Sequence, residues 1–168
     1  VGEKETGTIE QMNVSPVRPW TLILSKLIPY WTLGLFVLML AMGLAATLFG
    51  LTPAGGVGNI LAFTLLYLLV MSGLGICVSN IAGTMQQAMF VMYFFMMLFF
   101  LMSGLFTPIP SMPQWAQMLT YLNPLRYFVQ AMRSIYLKGS GLMDLLPQLG
   151  ALTVYALASC SLALLSYR

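Results

Sequence analysis

The fold is decided by residues 27–51 and 59–79, which read LIPYWTLGLFVLMLAMGLAATLFGL and NILAFTLLYLLVMSGLGICVS. Neither stretch contains a charged side chain, and no Asp, Glu, Lys, Arg or His occurs between Lys26 and Arg126. Each stretch has at least the roughly 20 predominantly apolar residues that a helix needs to cross about 30 Å of hydrocarbon. The sequence therefore predicts helices that span a membrane.

The composition of the whole chain agrees with this prediction. Hydrophobic residues make up 60% of the 168 residues and charged residues only 7%, whereas about a quarter of a soluble domain is charged. The net charge of +3 comes from few, scattered side chains, so we expect no nucleic-acid partner. Without His, metal chemistry is not expected. Cys77 and Cys160 lie in separate apolar runs and are expected to behave as small hydrophobes rather than as a disulfide framework.

Hydropathy and turn residues predict an all-α integral membrane protein with about four transmembrane helices. We expect the transmembrane domain to cover residues 26–168, and the short connections predict that neighbouring helices are antiparallel. The predicted spans are about 27–51, 59–79, 88–106 and 148–167.

The segment between the third and fourth predicted spans has a different pattern. Pro108, Pro110 and Pro113 prevent one continuous helix, and two shorter helical segments are predicted after them, Gln114 to Leu122 and Leu125 to Lys138. Arg126, Gln130 and Arg133 are spaced four and three residues apart, so they share one helical face. The sequence therefore predicts a re-entrant or interfacial helical hairpin at about 111–138.

Residues 1–25 are predicted to form a polar loop with a short amphipathic helix. Thr8 and Gln11 have the spacing of a capping box at its start, and Pro16 and Pro19 limit its length. The chain has no initiator Met and no signal-peptide pattern at its start. We therefore expect it to be part of a longer polypeptide, cut within a soluble loop.

Two motifs resemble the C-terminal half of type-2 ABC exporter permeases. The first runs from Glu3 through Glu-Lys-Glu-Thr-Gly-Thr-Ile-Glu-Gln-Met to Met12, with Ser15-Pro16 behind it. The second runs from Ser103-Gly104 through Pro108, Pro113-Gln114-Trp115 and Asn123-Pro124 to Tyr127 and Arg133. Lys4 stands where the family more often has Arg, which preserves the charge but loses the planar guanidinium fork.

This resemblance implies a membrane-spanning permease subunit that couples ATP hydrolysis by a partner to the export of an amphipathic or lipid-like substrate. The partners implied are an ABC ATPase subunit and a second permease protomer, identical or different, within membrane lipid. ATP and Mg²⁺ would bind to the ATPase, since this chain has no phosphate-loop motif and no cofactor of its own is expected. The expected location is a bacterial-type inner membrane, with the N-terminal loop and C-terminus cytoplasmic and the hairpin external. The residues expected to contact the ATPase are Glu3, Lys4, Glu5, Gly7, Thr8 and Glu10.

Each candidate site also has a simpler interpretation. The charges near the N-terminus could be a solvated cluster. Gly75, Ser79 and Gly83 recur every four residues, which indicates close helix approach, either within one protomer or at a sliding contact. Met89, Met92 and Met96 continue a face that begins at Met85, and this face could contact apolar substrates or simply lipid. Arg126 and Arg133 could anchor lipid headgroups or bind an anionic part of a lipid or substrate.

Two other classes of function are alternatives to transport. A non-catalytic channel or assembly subunit could use the same spans, although they contain few polar residues with which to form a selectivity filter. An intramembrane enzyme would need a base, nucleophile or metal ligands at membrane depth, and only Cys, Ser and Tyr are available between Lys26 and Arg126. The sequence therefore favours transport.

Overall fold

The computed structural model of the chain describes residues 1–2, 6–7 and 19–166, and these residues form helices and loops without a β-strand. The predicted amphipathic helix near the N-terminus lies outside the described residues. We number the helices from Pro19 onwards. They are α1 (Pro19–Phe49), α2 (Val57–Ile81), α3 (Met85–Leu101), α4 (Gln114–Thr120), α5 (Pro124–Lys138) and α6 (Leu146–Ser166), with a short 3-10 turn at Ile109–Ser111.

Three of these helices are long and apolar enough to cross a membrane: α1, α2 and α6. They correspond to the first, second and fourth predicted spans. Helix α1 begins earlier than predicted, so Pro29 lies inside the helix. The Thr32 hydroxyl donates a 2.8 Å hydrogen bond to the Pro29 carbonyl, an arrangement by which hydroxyl side chains help transmembrane helices to tolerate proline.

The third predicted span is shorter than expected. Helix α3 is apolar but has only 17 residues, which corresponds to a length of about 26 Å. It ends at Leu101 rather than near 106 because Gly104 adopts a left-handed backbone with φ of 80°. The Ser103 hydroxyl stabilises this turn by donating to the Phe100 carbonyl at 2.7 Å and accepting from the Leu105 amide at 3.3 Å.

Helix α2 occupies the centre of the bundle, and its most extensive contact is with α6. Helices α1 and α3 run antiparallel to α2, as the short connections predicted, and α6 runs parallel to it: Leu152 packs with Ile60 near the start of both helices, and Ser159 lies against Gly73 further along. The buried core joins α2 to α5 and α6. Its fully or nearly fully buried members are Ile60, Phe63, Ala131, Ile135, Leu145 and Leu152.

The predicted hairpin is formed by α4 and α5. The Asn123 side chain caps α5 by accepting a 3.0 Å hydrogen bond from the Leu125 amide, Pro124 occupies the first turn, and Gly139 ends the helix with φ of 65°. These are the residue types favoured at such positions. Helix α4 ends at Thr120 rather than the predicted Leu122.

The first half of α5 lies beside the middle of α2, and its end reaches the α1–α2 connection. The Phe128 ring stacks on Tyr67 at a centroid distance of 4.6 Å, and Tyr67 is about 21 Å along α2 from Ile81. At the other end of α5, the Ile135 carbonyl accepts a 3.0 Å hydrogen bond from the Gly55 amide. The hairpin therefore enters the bundle at the end opposite the α2–α3 turn, as a re-entrant element does.

Candidate functional site

A polar cavity of about 490 Å³ lies where α3 ends, between α4 and α5. The predicted stripe of Arg126, Gln130 and Arg133 lines one wall. Gly104, Gln117 and Tyr121 contribute to the others. The structure thus brings both predicted arginines to one cavity, with the amide of Gln130 between them along α5.

Arg126 is held in place by α4. Its Nη1 atom donates a 2.5 Å hydrogen bond to the Thr120 hydroxyl, and its Cζ atom lies 4.2 Å from the centroid of the Tyr121 ring. Thr120 is fully buried and donates in turn to the Gln117 carbonyl at 2.7 Å. The Arg126 Nε atom is also buried, but it has no hydrogen-bond partner in the part of the chain that the structure describes. The guanidinium is therefore positioned but only partly satisfied.

Arg133 contacts the turn that follows α3. Its Nη2 atom donates a 3.3 Å hydrogen bond to the Gly104 carbonyl, close to the C-terminal end of α3, where a cation is favoured by the helix dipole. Asp144 is the only acidic side chain within the described ranges, and its Oδ2 atom accepts a hydrogen bond from the Gly141 amide. Neither Arg126 nor Arg133 forms an ion pair in the described part of the chain.

Two backbone carbonyls secure the hairpin beside this cavity. The Asn123 Nδ2 atom donates a 2.8 Å hydrogen bond to the Phe99 carbonyl, which ties α5 to the end of α3. The Tyr121 carbonyl accepts hydrogen bonds from the hydroxyls of Tyr127 and Tyr155, at 3.1 and 2.5 Å. Sequence reasoning did not assign these roles. The sequence Asn123-Pro124 could have predicted the cap, because Asn is favoured directly before a helix and Pro at its first position.

The predicted small-residue face has a different environment from the one its spacing suggested. Among the described residues, a Cβ atom added to Gly75 would have no neighbour within 4 Å, and one added to Gly83 would reach only the Gln87 side chain, at 3.8 Å. The close approach of α2 to α6 occurs instead at Gly73, where an added Cβ would lie 2.6 Å from the Ser159 hydroxyl. Gly75 and Ser79 line an open groove of about 500 Å³ between α1, α2 and α3.

The predicted methionine face is divided between two surroundings. Met92 and Met96 border an apolar cavity of about 190 Å³ between α2 and α3, and Met92 also borders the open groove that contains Gly75. Met89 is 63% exposed on the outside of α3. Of the three predicted residues, Met92 is therefore the one that adjoins both spaces.

The proposed ATPase-contacting residues lie almost entirely outside the described residues. Glu3, Lys4, Glu5, Thr8 and Glu10 are among those not described. Gly7 is described, and it forms an exposed turn with φ of 74°. The Val1 nitrogen donates a 3.1 Å hydrogen bond to the Ser79 hydroxyl, so the beginning of the chain lies at the α2–α3 end of the bundle.

Comparison with known proteins gives one family and several relatives. The sequence profile of the ABC-2 type transporter family matches residues 1–137. The probable multidrug ABC transporter permease YbhR of Escherichia coli K12 is 32% identical over 140 residues, covering 83% of this chain and 38% of YbhR. The inner membrane transport permease YhhJ of the same strain is 29% identical over 173 residues, covering all of this chain and 45% of YhhJ.

A third relative is similar to the same extent. The probable multidrug ABC transporter permease YbhS of Escherichia coli K12 is 30% identical over 139 residues, covering 82% of this chain and 37% of YbhS. This chain thus spans less than half the length of the curated relatives it matches. No solved structure matches it.

Proposed function

Because this chain belongs to the ABC-2 type transporter family, we propose that the full-length protein is the membrane-spanning subunit of an ATP-driven exporter. The observation that carries the proposal is the family match over residues 1–137, which includes both the N-terminal motif and the hairpin. The apolar helices α1, α2 and α6 are consistent with a transport subunit embedded in a membrane.

ATP hydrolysis would be performed by a separate ABC ATPase, and two permease protomers would form the path for substrate. We place the N-terminal loop and the C-terminus on the cytoplasmic side of a bacterial inner membrane, where ATP is available. The connectivity supports one part of this arrangement, since the beginning of the chain and the hairpin lie at opposite ends of the bundle. On this assignment the cavity with Arg126 and Arg133 faces the outer half of the bilayer.

The motif Glu3-Lys4-Glu5 with Gly7, Thr8 and Glu10 is proposed as the contact to the ATPase. The short helix that the sequence predicts, capped at Thr8 and tied to α1 through Pro16 and Pro19, would pass a rigid displacement into α1. Because α1 leads directly from this segment and lines the groove beside Met92, a movement of α1 would change the width of that groove. The substrate we propose is amphipathic, with its apolar part against Met92 and Met96.

The test is co-purification of the full-length permease with the ATPase encoded beside it, followed by measurement of ATPase activity and transport. Glu10→Arg reverses a charge in the proposed contact. Asp144→Lys is the matched control, because it reverses a charge near the opposite end of the bundle, where Asp144 precedes α6. We expect the wild type and Asp144→Lys to retain the ATPase and Glu10→Arg to lose it.

Two results would contradict the proposal. One is a wild-type permease that never retains an ATPase after gentle solubilisation. The other is ion conductance without ATP, which would indicate a channel instead.

A further inference from the structure

The cavity between α4 and α5 carries an excess of positive charge that the described residues do not balance. Arg126 and Arg133 lie on the same side of α5, two helical turns or about 10.5 Å apart, and both line the cavity with Gln130 between them. Each guanidinium donates one hydrogen bond to the surrounding protein, Arg126 to Thr120 and Arg133 to the Gly104 carbonyl. Most of their N–H donors therefore remain available.

The position of Arg126 also favours a bound anion. It lies in the first turn of α5, where the helix dipole disfavours a cation and favours a negative group. Its Nε atom is buried and has no acceptor among the described residues, and a buried charge is costly unless it is paired. An anion that enters this cavity would offset both the dipole and the two like charges.

We propose that this cavity binds the phosphate group of a phospholipid, held by Arg126 and Arg133 with Gln130 as a third donor. Guanidinium groups match the geometry of phosphate oxygens and bind them through two parallel hydrogen bonds. A volume of about 490 Å³ accommodates a phosphate with part of a headgroup.

The surroundings favour a lipid over a free phosphate ion. Helix α4 turns Gln117 and Thr120 toward the protein. Its outer face presents Trp115 and Met118, and Leu122 follows just after the helix; these three side chains are 67, 71 and 67% exposed. Acyl chains can lie against this apolar face while the headgroup occupies the cavity. Tryptophan is a residue typical of the membrane interface.

The length of α3 places the cavity at the depth of lipid phosphates. Polar residues Thr84, Gln86 and Gln87 mark the beginning of α3, and the cavity lies at its other end, about 26 Å away. Since the hydrocarbon core is about 30 Å thick, a helix that begins at one boundary ends close to the other. The inference is independent of the pump activity, because lipid binding requires neither ATP nor a partner.

The experiment measures the thermal unfolding midpoint of the detergent-solubilised full-length permease during titration with dioctanoyl phosphatidic acid. Dioctanoylglycerol serves as the probe without phosphate, and inorganic phosphate as the probe without acyl chains. We expect phosphatidic acid to raise the midpoint in a saturable manner, dioctanoylglycerol to have little effect, and inorganic phosphate to act only at much higher concentration.

The variants assign the effect to the cavity. In the double variant Arg126→Gln/Arg133→Gln, the concentration of phosphatidic acid at half-saturation is expected to rise by about tenfold or more, because charge-assisted hydrogen bonds are lost. Lys138→Gln, which removes a positive charge from the last turn of the same helix, should leave it unchanged. If the double variant does not fold, phosphatidic acid binding is compared between the single variants Arg133→Gln and Arg133→Lys instead. The former should weaken binding, and the latter should retain part of it.

Three results would overturn the inference. Equal stabilisation by dioctanoylglycerol would show that the headgroup is irrelevant. Saturation by inorganic phosphate at the same concentration as phosphatidic acid would indicate a site for the free ion. Unchanged binding of phosphatidic acid to Arg133→Gln would place its site elsewhere.

Discussion

Gly73 in α2 lies against Ser159 in α6 so closely that no side chain fits between them. A Cβ atom on Gly73 would lie 2.6 Å from the Ser159 Oγ atom and 2.8 Å from its Cβ atom. Both residues are buried, and Ser159 directs its hydroxyl to the Ala156 carbonyl at 3.1 Å. In lipid, such contacts between small residues allow two helices to approach and hold them by van der Waals packing.

We therefore expect Gly73→Ala to destabilise the protein by about 1–3 kcal/mol, the usual cost of overpacking. Gly75→Ala is the control, because an added Cβ at Gly75 has open space around it. The measurement is the thermal unfolding midpoint of the purified protein in detergent. Ser159→Gly should partly restore the stability of Gly73→Ala, and equal midpoints for Gly73→Ala and Gly75→Ala would refute the close contact.

Asn123 is expected to stabilise the hairpin in two separable ways. Its Oδ1 atom caps α5 and its Nδ2 atom bonds to the Phe99 carbonyl. Asn123→Ser retains a cap but loses the bond to α3, so it should cost about 1 kcal/mol. Asn123→Ala loses both and should cost about 2 kcal/mol. Hydrogen exchange at the start of α5 would rise in the same order, with the exposed Gln114→Ala as the unaffected control.

Tyr127 and Tyr155 both donate to the Tyr121 carbonyl. We therefore expect the losses of unfolding free energy on removing the two hydroxyls to be non-additive. Tyr155→Phe or Tyr127→Phe alone leaves this carbonyl one donor, so each should cost about 1 kcal/mol or less. The double variant leaves it with neither tyrosine donor and should cost more than the sum of the two. Thermal unfolding of the single and double variants tests this, with Tyr93→Phe on the exposed face of α3 as the control. A strictly additive result would argue against a shared acceptor.

The proposed substrate contact predicts different effects for two methionines of the same helix. Met92 adjoins both the open groove and the apolar cavity, whereas Met89 is exposed on the outside of α3. Met92→Trp should reduce efflux of a fluorescent amphipathic dye severalfold, because the larger ring would fill the space that a flexible methionine leaves adaptable. Met89→Trp should retain efflux. Equal loss in both variants, at matched expression, would remove Met92 from the substrate path.

Much of the local structure could be predicted from sequence. The absence of charge between Lys26 and Arg126 predicted the long apolar helices, and the spacing of Arg126, Gln130 and Arg133 correctly placed them on one face of α5. The end of α3 was predicted too late, because an apolar run does not show where a Ser-Gly turn interrupts it. Within the described chain, α2 approaches α6 closely at Gly73, and a contact between protomers through Gly75, Ser79 and Gly83 stays a prediction.

The sequence by itself determined that this chain belongs in a membrane and which segments are helical, because lipid accepts apolar side chains on every face and backbone hydrogen bonds are made within each helix. Only the tertiary structure decided which helix faces meet. Lipid tails are as apolar as Leu, so hydrophobicity does not direct one face of a span inward, and the register of Gly73 on Ser159 depends on local shape. In the same way, it is the fold that brings Gly104 and Arg133, 29 residues apart, to one cavity.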